Sequence, residues 1–198
     1  MNYLAHAWLA RHADEAILGA LLGDFVFGQA ALLDWPDMVR GEIVAHRRID
    51  RYTDAHPAVA GARALFADGL RRYAGIVLDV HFDHLLARDW RRWDGGSLEA
   101  FTARVYRVLR ERHDALPPRL RAIAPRMEAH DWLGSYRERD NVDHAVRGIA
   151  TRLSRHGERL VACLPVLRAN EAAIDAAFEA FFPELIAAAP RLRAGLPG

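Results

Sequence analysis

The side chains able to do chemistry here are acids and histidines that occupy places where apolar residues are expected. Val39, Ile43, His46, Asp50 and Thr53 follow one another at spacings of four, three, four and three, which puts them on one face of a helix. Ile17, Leu21, Asp24 and Gly28 repeat the pattern, and Asp79 and Asp83 share a stripe with Leu86 and Trp90. His6 is the one histidine or acid in the first ten residues. With 36 acids and histidines in 198 residues, pairs at i,i+4 arise by chance, so the weight rests on their place in apolar stripes. A carboxylate facing a core without a partner is costly. Convergence on a divalent cation answers several at once, each carboxylate exchanging water for a metal bond. Local arginine pairing, for example Asp50 with Arg47 or Arg51, answers them one at a time. Spacing alone leaves both open. The donors are oxygen-rich, with some imidazole and no thiolate, which favours manganese or magnesium, and iron next, over a structural zinc.

The elements that must position these groups are helices. Apolar periodicity is helical, and no alternating run is flanked by hairpin signals, so the fold class is all-α, a multi-helix bundle. A short helix near residues 2–11 is apolar on every side and should be buried. Asp14 is placed to cap a second helix through about residue 28, and Pro36 to open a third running to about Thr53. After a break at His56-Pro57, a helix carries Val59, Arg63 and Phe66, and a long helix spans about 70–92, closing near Gly95-Gly96. Ser97 should cap a helix whose stripe is Leu98, Phe101, Val105, Val108 and Arg112. Leu116-Pro117-Pro118 breaks the chain, and Tyr136 leads into a helix to about residue 154. A final stretch over 157–190 aligns Ile174, Phe178, Phe181, Phe182 and Leu185, broken or capped near Pro165 and Pro183; that stripe reads as core.

Length and composition bound the rest. A chain of 198 residues with 52% hydrophobic and 27% charged content is expected to fold as one domain, its motif-bearing part at about 1–92 and further helices at about 97–190. One cysteine, Cys163, excludes an internal disulfide framework and a thiolate zinc cluster. The first ten residues make a poor signal peptide and no stretch is long and apolar enough to span a bilayer, so the expected location is cytoplasmic, with no membrane partner. A net charge of +1 gives no global field for nucleic acid. All 27 basic residues are arginine; Arg47-Arg48, Arg71-Arg72 and Arg88 with Arg91-Arg92 present planar forks suited to phosphates and carboxylates.

Four fragments carry a resemblance: Met1-Asn2-Tyr3-Leu4-Ala5-His6, Leu22-Gly23-Asp24-Phe25-Val26, His46-Arg47-Arg48-Ile49-Asp50 with Thr53-Asp54, and Leu78-Asp79-Val80 with Phe82-Asp83-His84. In order and spacing, over about the first 90 residues, the chain resembles the acyl carrier protein phosphodiesterases. A weaker echo runs through Trp132-Leu133, Tyr136 and Gly148. The resemblance implies a fold distantly related to the His-Asp phosphohydrolases, a divalent metal, usually manganese, and hydrolysis of holo acyl carrier protein to apo protein and phosphopantetheine. It marks His6, Asp24, His46, Asp50, Asp79, Asp83 and His84 as the site. The adjacent His-Asp pair of the wider superfamily is not at its expected place, and His113-Asp114 and His130-Asp131 read as accidents; His56 and His81 lie beside the pattern, in surface or supporting places.

On that resemblance, Asp24, His46, Asp50, Asp79 and Asp83 would hold metal, His84 or His6 would protonate the serine leaving group, and Arg47 and Arg51 would clamp the phosphoryl oxygens. Arginines 71, 72, 88, 91 and 92 would dock the acidic carrier protein. Two rivals stand beside this reading: a metal-dependent phosphohydrolase of nucleotides or another small phosphodiester, and a non-catalytic helical binding module. Oligomeric state is not legible.

Overall fold

The computed structural model describes residues 1–195, and among them every regular element is helical. The first helix, α1 (Tyr3–Leu9), is buried along Leu4–Leu9, as an all-apolar segment must be. Next, α2 (Asp14–Leu22) stops at Gly23, short of the expected residue 28, so Asp24 lies in the turn beyond it. Asp14 is not its cap. It sits in the first turn, where its carboxylate accepts from Arg104 and Arg107, each at 2.7 Å. After the single turn α3 (Gln29–Leu32) comes α4 (Asp37–Ala55), which packs on α2 and carries Val39, Ile43, His46 and Thr53 into the interior.

Pro57 occupies the first turn of α5 (Pro57–Ala64), and His56 caps it by accepting from the Ala58 amide. The long α6 (Asp68–Arg88) is followed by the short α7 (Trp90–Trp93). Ser97 caps α8 (Leu98–Glu111) through the Ala100 amide, and the expected stripe is buried from Leu98 to Val108, with Arg112 exposed beyond its end. Then come α9 (Pro118–Ala129), α10 (Trp132–Ser135), α11 (Asp140–Ala150), α12 (Gly157–Val161) and α13 (Cys163–Ala169). The last helix, α14 (Glu171–Ala194), runs through Pro183 and Pro190 without a break. A mid-helix proline costs about 3 kcal/mol; here burial of Ile174, Phe178, Phe181, Phe182 and Leu185 outweighs it. Phe182 meets Trp8 of α1 and Trp93 of α7, while Phe178 meets Phe82 of α6. The aromatic stripe is core. No helix among the described residues is long and apolar enough to cross a membrane.

Two histidines expected at the surface or in support are buried and answered by α14. His56 Nε2 lies 3.2 Å from Glu184, and His81, fully buried, lies 2.8 Å from Asp175, which also accepts from Arg88 at 3.0 Å. Burial alone would raise the Asp175 carboxyl, but the hydrogen bonds from His81 and Arg88 hold it below its ordinary 3.8. A depressed carboxylate contributes stability that is complete above its unfolded value and is lost as pH falls through its folded one. Asp175→Ala is therefore expected to cost about 2 kcal/mol at pH 7 by stranding the His81 imidazole. Unfolding curves at pH 7 and in acid check the sign: the deficit should shrink as the pH drops below the ordinary carboxylate value.

Candidate metal centre

Close packing of α2 on α4 fixes the centre. A Cβ built on Gly19 would lie 2.4 Å from the Val39 carbonyl oxygen, and one on Gly23 would lie 2.2 Å from the His46 ring. Only glycine permits this approach. The ring is held from the same side, since Ala20 O can only accept and so takes a proton from His46 Nδ1 at 2.7 Å. That bond fixes the tautomer and leaves Nε2 as the working atom. His46 Nε2 stands 3.3 Å from Asp24 Oδ1 and 3.2 Å from Asp50 Oδ2. From α1, His6 stacks on His46 with ring centroids 3.6 Å apart and presents Nε2 to Asp50 Oδ1 at 3.0 Å. The other His6 nitrogen, Nδ1, is buried without a partner.

His6, His46 and Asp50 thus each offer a ligand atom, all within 4.8 Å of one another, with Asp24 adjoining. Both imidazoles are buried, while the Asp24 and Asp50 side chains keep 50% and 37% of their surface open, so the cluster faces solvent through its acids. None of the four pairs with an arginine within salt-bridge distance among the described residues, and the local alternative for Asp50 does not occur. The donor set of two imidazoles and two carboxylates, with an unsatisfied His6 nitrogen, fits a divalent cation.

Electrostatics divide the pair of histidines. Burial, with His46 beside it, pushes His6 down to about 4. Burial would depress His46 too, but its contacts with Asp24 and Asp50 more than reverse this and raise it to about 9. The same contacts overcome burial to hold Asp24 and Asp50 below the usual carboxylate range.

The remaining expected residues divide into neighbours and supports. The Met1 ammonium is buried, 3.3 Å from Asp50 Oδ1 and 3.0 Å from Asp79 Oδ1. No side-chain pattern signals an α-amine, and sequence reasoning missed it. Asp83 is fully buried and has both oxygens committed to α1, accepting from Leu4 N at 2.8 Å and Ala5 N at 3.0 Å. Expected as a ligand, it is built as the cap that α1 lacks, since Asn2 makes no side-chain capping bond. Burial pushes its carboxyl up to about 7 against the pull of those amides. His84 donates from Nδ1 to Tyr136 O at 2.7 Å. Arg47 donates to Val26 O, bracing the turn that holds Asp24, and Arg51 is exposed. Asp54 pairs with Arg63. His113-Asp114 lies on an exposed single turn, whereas His130 lines a cavity and Asp131 accepts from Tyr106.

With this geometry in place, comparison with known proteins is decisive. A family profile described as acyl carrier protein phosphodiesterase matches residues 1–185. The chain belongs to the acyl carrier protein phosphodiesterase family. It is similar to the acyl carrier protein phosphodiesterase of Salmonella dublin, 37% identical over 199 residues that cover 96% of this chain and 98% of the relative. Those of Salmonella agona and Salmonella newport are 36% identical over the same shares. No solved structure matches the chain. The match therefore runs along nearly the whole chain, the residues of the cluster included.

A steric test follows from the packing. Gly23→Ala, in an ordinary helical backbone, is expected to displace the His46 ring and lower activity by about 100-fold, the scale of a misplacement near 1 Å. Rates of Gly23→Ala and Gly23→Ser against wild type measure it, with helical circular dichroism as the control for folding.

Proposed function

We propose that this protein hydrolyses the phosphodiester joining phosphopantetheine to the serine of holo acyl carrier protein, releasing apo acyl carrier protein and phosphopantetheine. The observation that carries the reading is the meeting of His6, His46 and Asp50, with Asp24 adjoining, from separate parts of the chain, with no arginine on these acids and the Met1 ammonium shared between Asp50 and Asp79. Family membership supplies the substrate class. In this proposal Asp24, His46, Asp50 and His6 hold the cation, manganese first, with magnesium or iron as alternatives. Asp79 answers the Met1 ammonium, and Asp83 fastens α1. A cation bound there would acidify water and neutralise charge on the phosphodiester. Kinship with the His-Asp phosphohydrolases and a cytoplasmic location belong to the same proposal.

With His6 assigned to the cation, the proton for the departing serine oxygen falls to His84, whose Nδ1 is fixed on Tyr136 O. His84→Gln should slow release of phosphopantetheine by about 100-fold. A diester of p-nitrophenol, whose leaving group needs no proton, should be far less affected; equal losses on both substrates would remove His84 from that role. Arg47 holds the Asp24 turn, leaving Arg51 as the freer clamp for phosphoryl oxygens. Of the arginines expected to dock the carrier, Arg71, Arg88 and Arg92 are engaged by Asp68, by Asp89 with Asp175, and by Glu179. The docking role then rests on Arg72 and Arg91.

Mass spectrometry of holo acyl carrier protein after incubation with the protein and manganese tests the reading. Loss of the prosthetic group, prevented by chelator, is the expected result. An unchanged carrier beside hydrolysed nucleotide would favour the rival hydrolase instead.

A further inference from the structure

A cavity of about 560 Å³ opens among α9, α10 and α11, lined by Arg126, His130, Trp132, Tyr136, His144 and Arg152. Its size is that of a small-molecule site, and none of the chemistry above uses it. The chain's first residues join it to the acid cluster. Tyr136 Oη accepts from Asn2 Nδ2 at 2.9 Å and from Trp132 Nε1 at 3.2 Å, while Met1, next to Asn2, places its nitrogen on Asp50 and Asp79. Tyr3 continues the link: its ring stacks on Phe25, the neighbour of Asp24, with centroids 6.1 Å apart. Burial, and then the charge of Asp24, push the Tyr3 phenol up to about 12, with Arg152 and Arg119 pulling the other way. Tyr3 thus adjoins the turn that carries Asp24.

The lining is mixed in a way that selects a ligand class. Trp132 and Tyr136 give aromatic surface and Ile123 and Ala145 aliphatic surface, while Ser135 and Asn141 bring amide-compatible polar groups. Arg152 lies over the Trp132 ring, its guanidinium carbon 5.7 Å from the centroid. Neither Arg126 nor Arg152 has a carboxylate partner among the described residues, in contrast to Arg110, which pairs with Glu128, and Arg139, which pairs with Asp143 and Glu171. A molecule with aliphatic surface, amide bonds and a negative charge matches these features.

We propose that this cavity seats the pantetheine arm of the carrier's prosthetic group, lying along Trp132 and Tyr136 while its phosphate end points to the acid cluster. This rests on the hydrolase reading above and adds the part of the site that recognises the substrate's arm. It also gives the cavity's one permissive position a use. Gly148 lines the cavity inside helical α11, and a Cβ built on it meets nothing within 4 Å, so a large side chain can be placed at the cavity wall without displacing the fold, and replacing a helical glycine favours the helix.

Gly148→Phe therefore tests the assignment. Pantetheine titrated by calorimetry should bind wild type and bind Gly148→Phe at least about tenfold more weakly. The ratio of kcat/KM on holo acyl carrier protein to kcat/KM on bis(p-nitrophenyl) phosphate, a diester with no arm, should fall at least about tenfold, mainly through KM. Wild-type protein that does not bind pantetheine, or a variant that keeps the wild-type ratio, overturns the assignment. Failure of the hydrolase reading is seen separately, as a holo carrier whose mass wild type leaves unchanged, and the pantetheine titration still judges the cavity in that event.

Discussion

Asp24→Ala is expected to lower phosphopantetheine release by about 1,000-fold, the scale of removing one preorganised charged group from a reacting centre, and to leave the fold intact. The geometry separates these effects. Asp24 stands in a turn with half its side chain exposed, and its one ion-pair contact is His46 Nε2 at 3.3 Å. Its removal strands no buried carboxylate, and His46 keeps both Ala20 O and Asp50, so the cost in stability should stay at about 1–2 kcal/mol, that of one hydrogen bond to a charged group. Initial rates measured with thermal unfolding check both halves. A variant that retains a substantial fraction of wild-type turnover takes Asp24 out of the centre.

Asp83→Ala is expected to behave in the opposite manner, with a loss of about 2–4 kcal/mol in stability, the cost of leaving two buried amide donors without an acceptor. Asp83 is fully buried, and its carboxylate satisfies two amides at the start of α1, next to the buried Met1 ammonium. Without it those donors have no acceptor and α1 loses its anchor to α6. Activity should fall as well, because His6 rides on α1. Unfolding in the presence of chelator distinguishes this from ligation. A cap weakens the metal-free protein, whereas a pure ligand would leave the metal-free protein unchanged and reduce only the stabilisation that added manganese gives.

What the sequence made legible follows from the reach of helical periodicity. The stripe of α4 places His46 and Asp50 inward because both belong to one helix with Val39 and Ile43, and Ser97 caps α8 through a contact three residues away. Local rules suffice for both. They fail where partners are distant in the chain. Asp83 lies on an inward stripe whether it holds a cation or caps a helix 78 residues earlier, and His81 gives no sign of Asp175, 94 residues on. Asp24 reaches the centre for a reason its stripe did not contain. The helix ends before it, and Gly23 lets His46 come close enough to meet it. Continuation of α14 through Pro183 likewise depends on Phe82, Trp8 and Trp93, which no window around the proline includes. The cavity beside Trp132 is assembled by three helices that carried only a faint echo of the family.

Electron spin echo spectroscopy of manganese bound to the protein gives the most direct view of the centre, because couplings to ligand nitrogen report the imidazoles themselves. Two histidine nitrogens should be seen in wild type, with one lost in His46→Ala and one in His6→Ala. A spectrum with no nitrogen coupling, or one that both substitutions leave unaltered, would mean that the stacked imidazoles hold no cation.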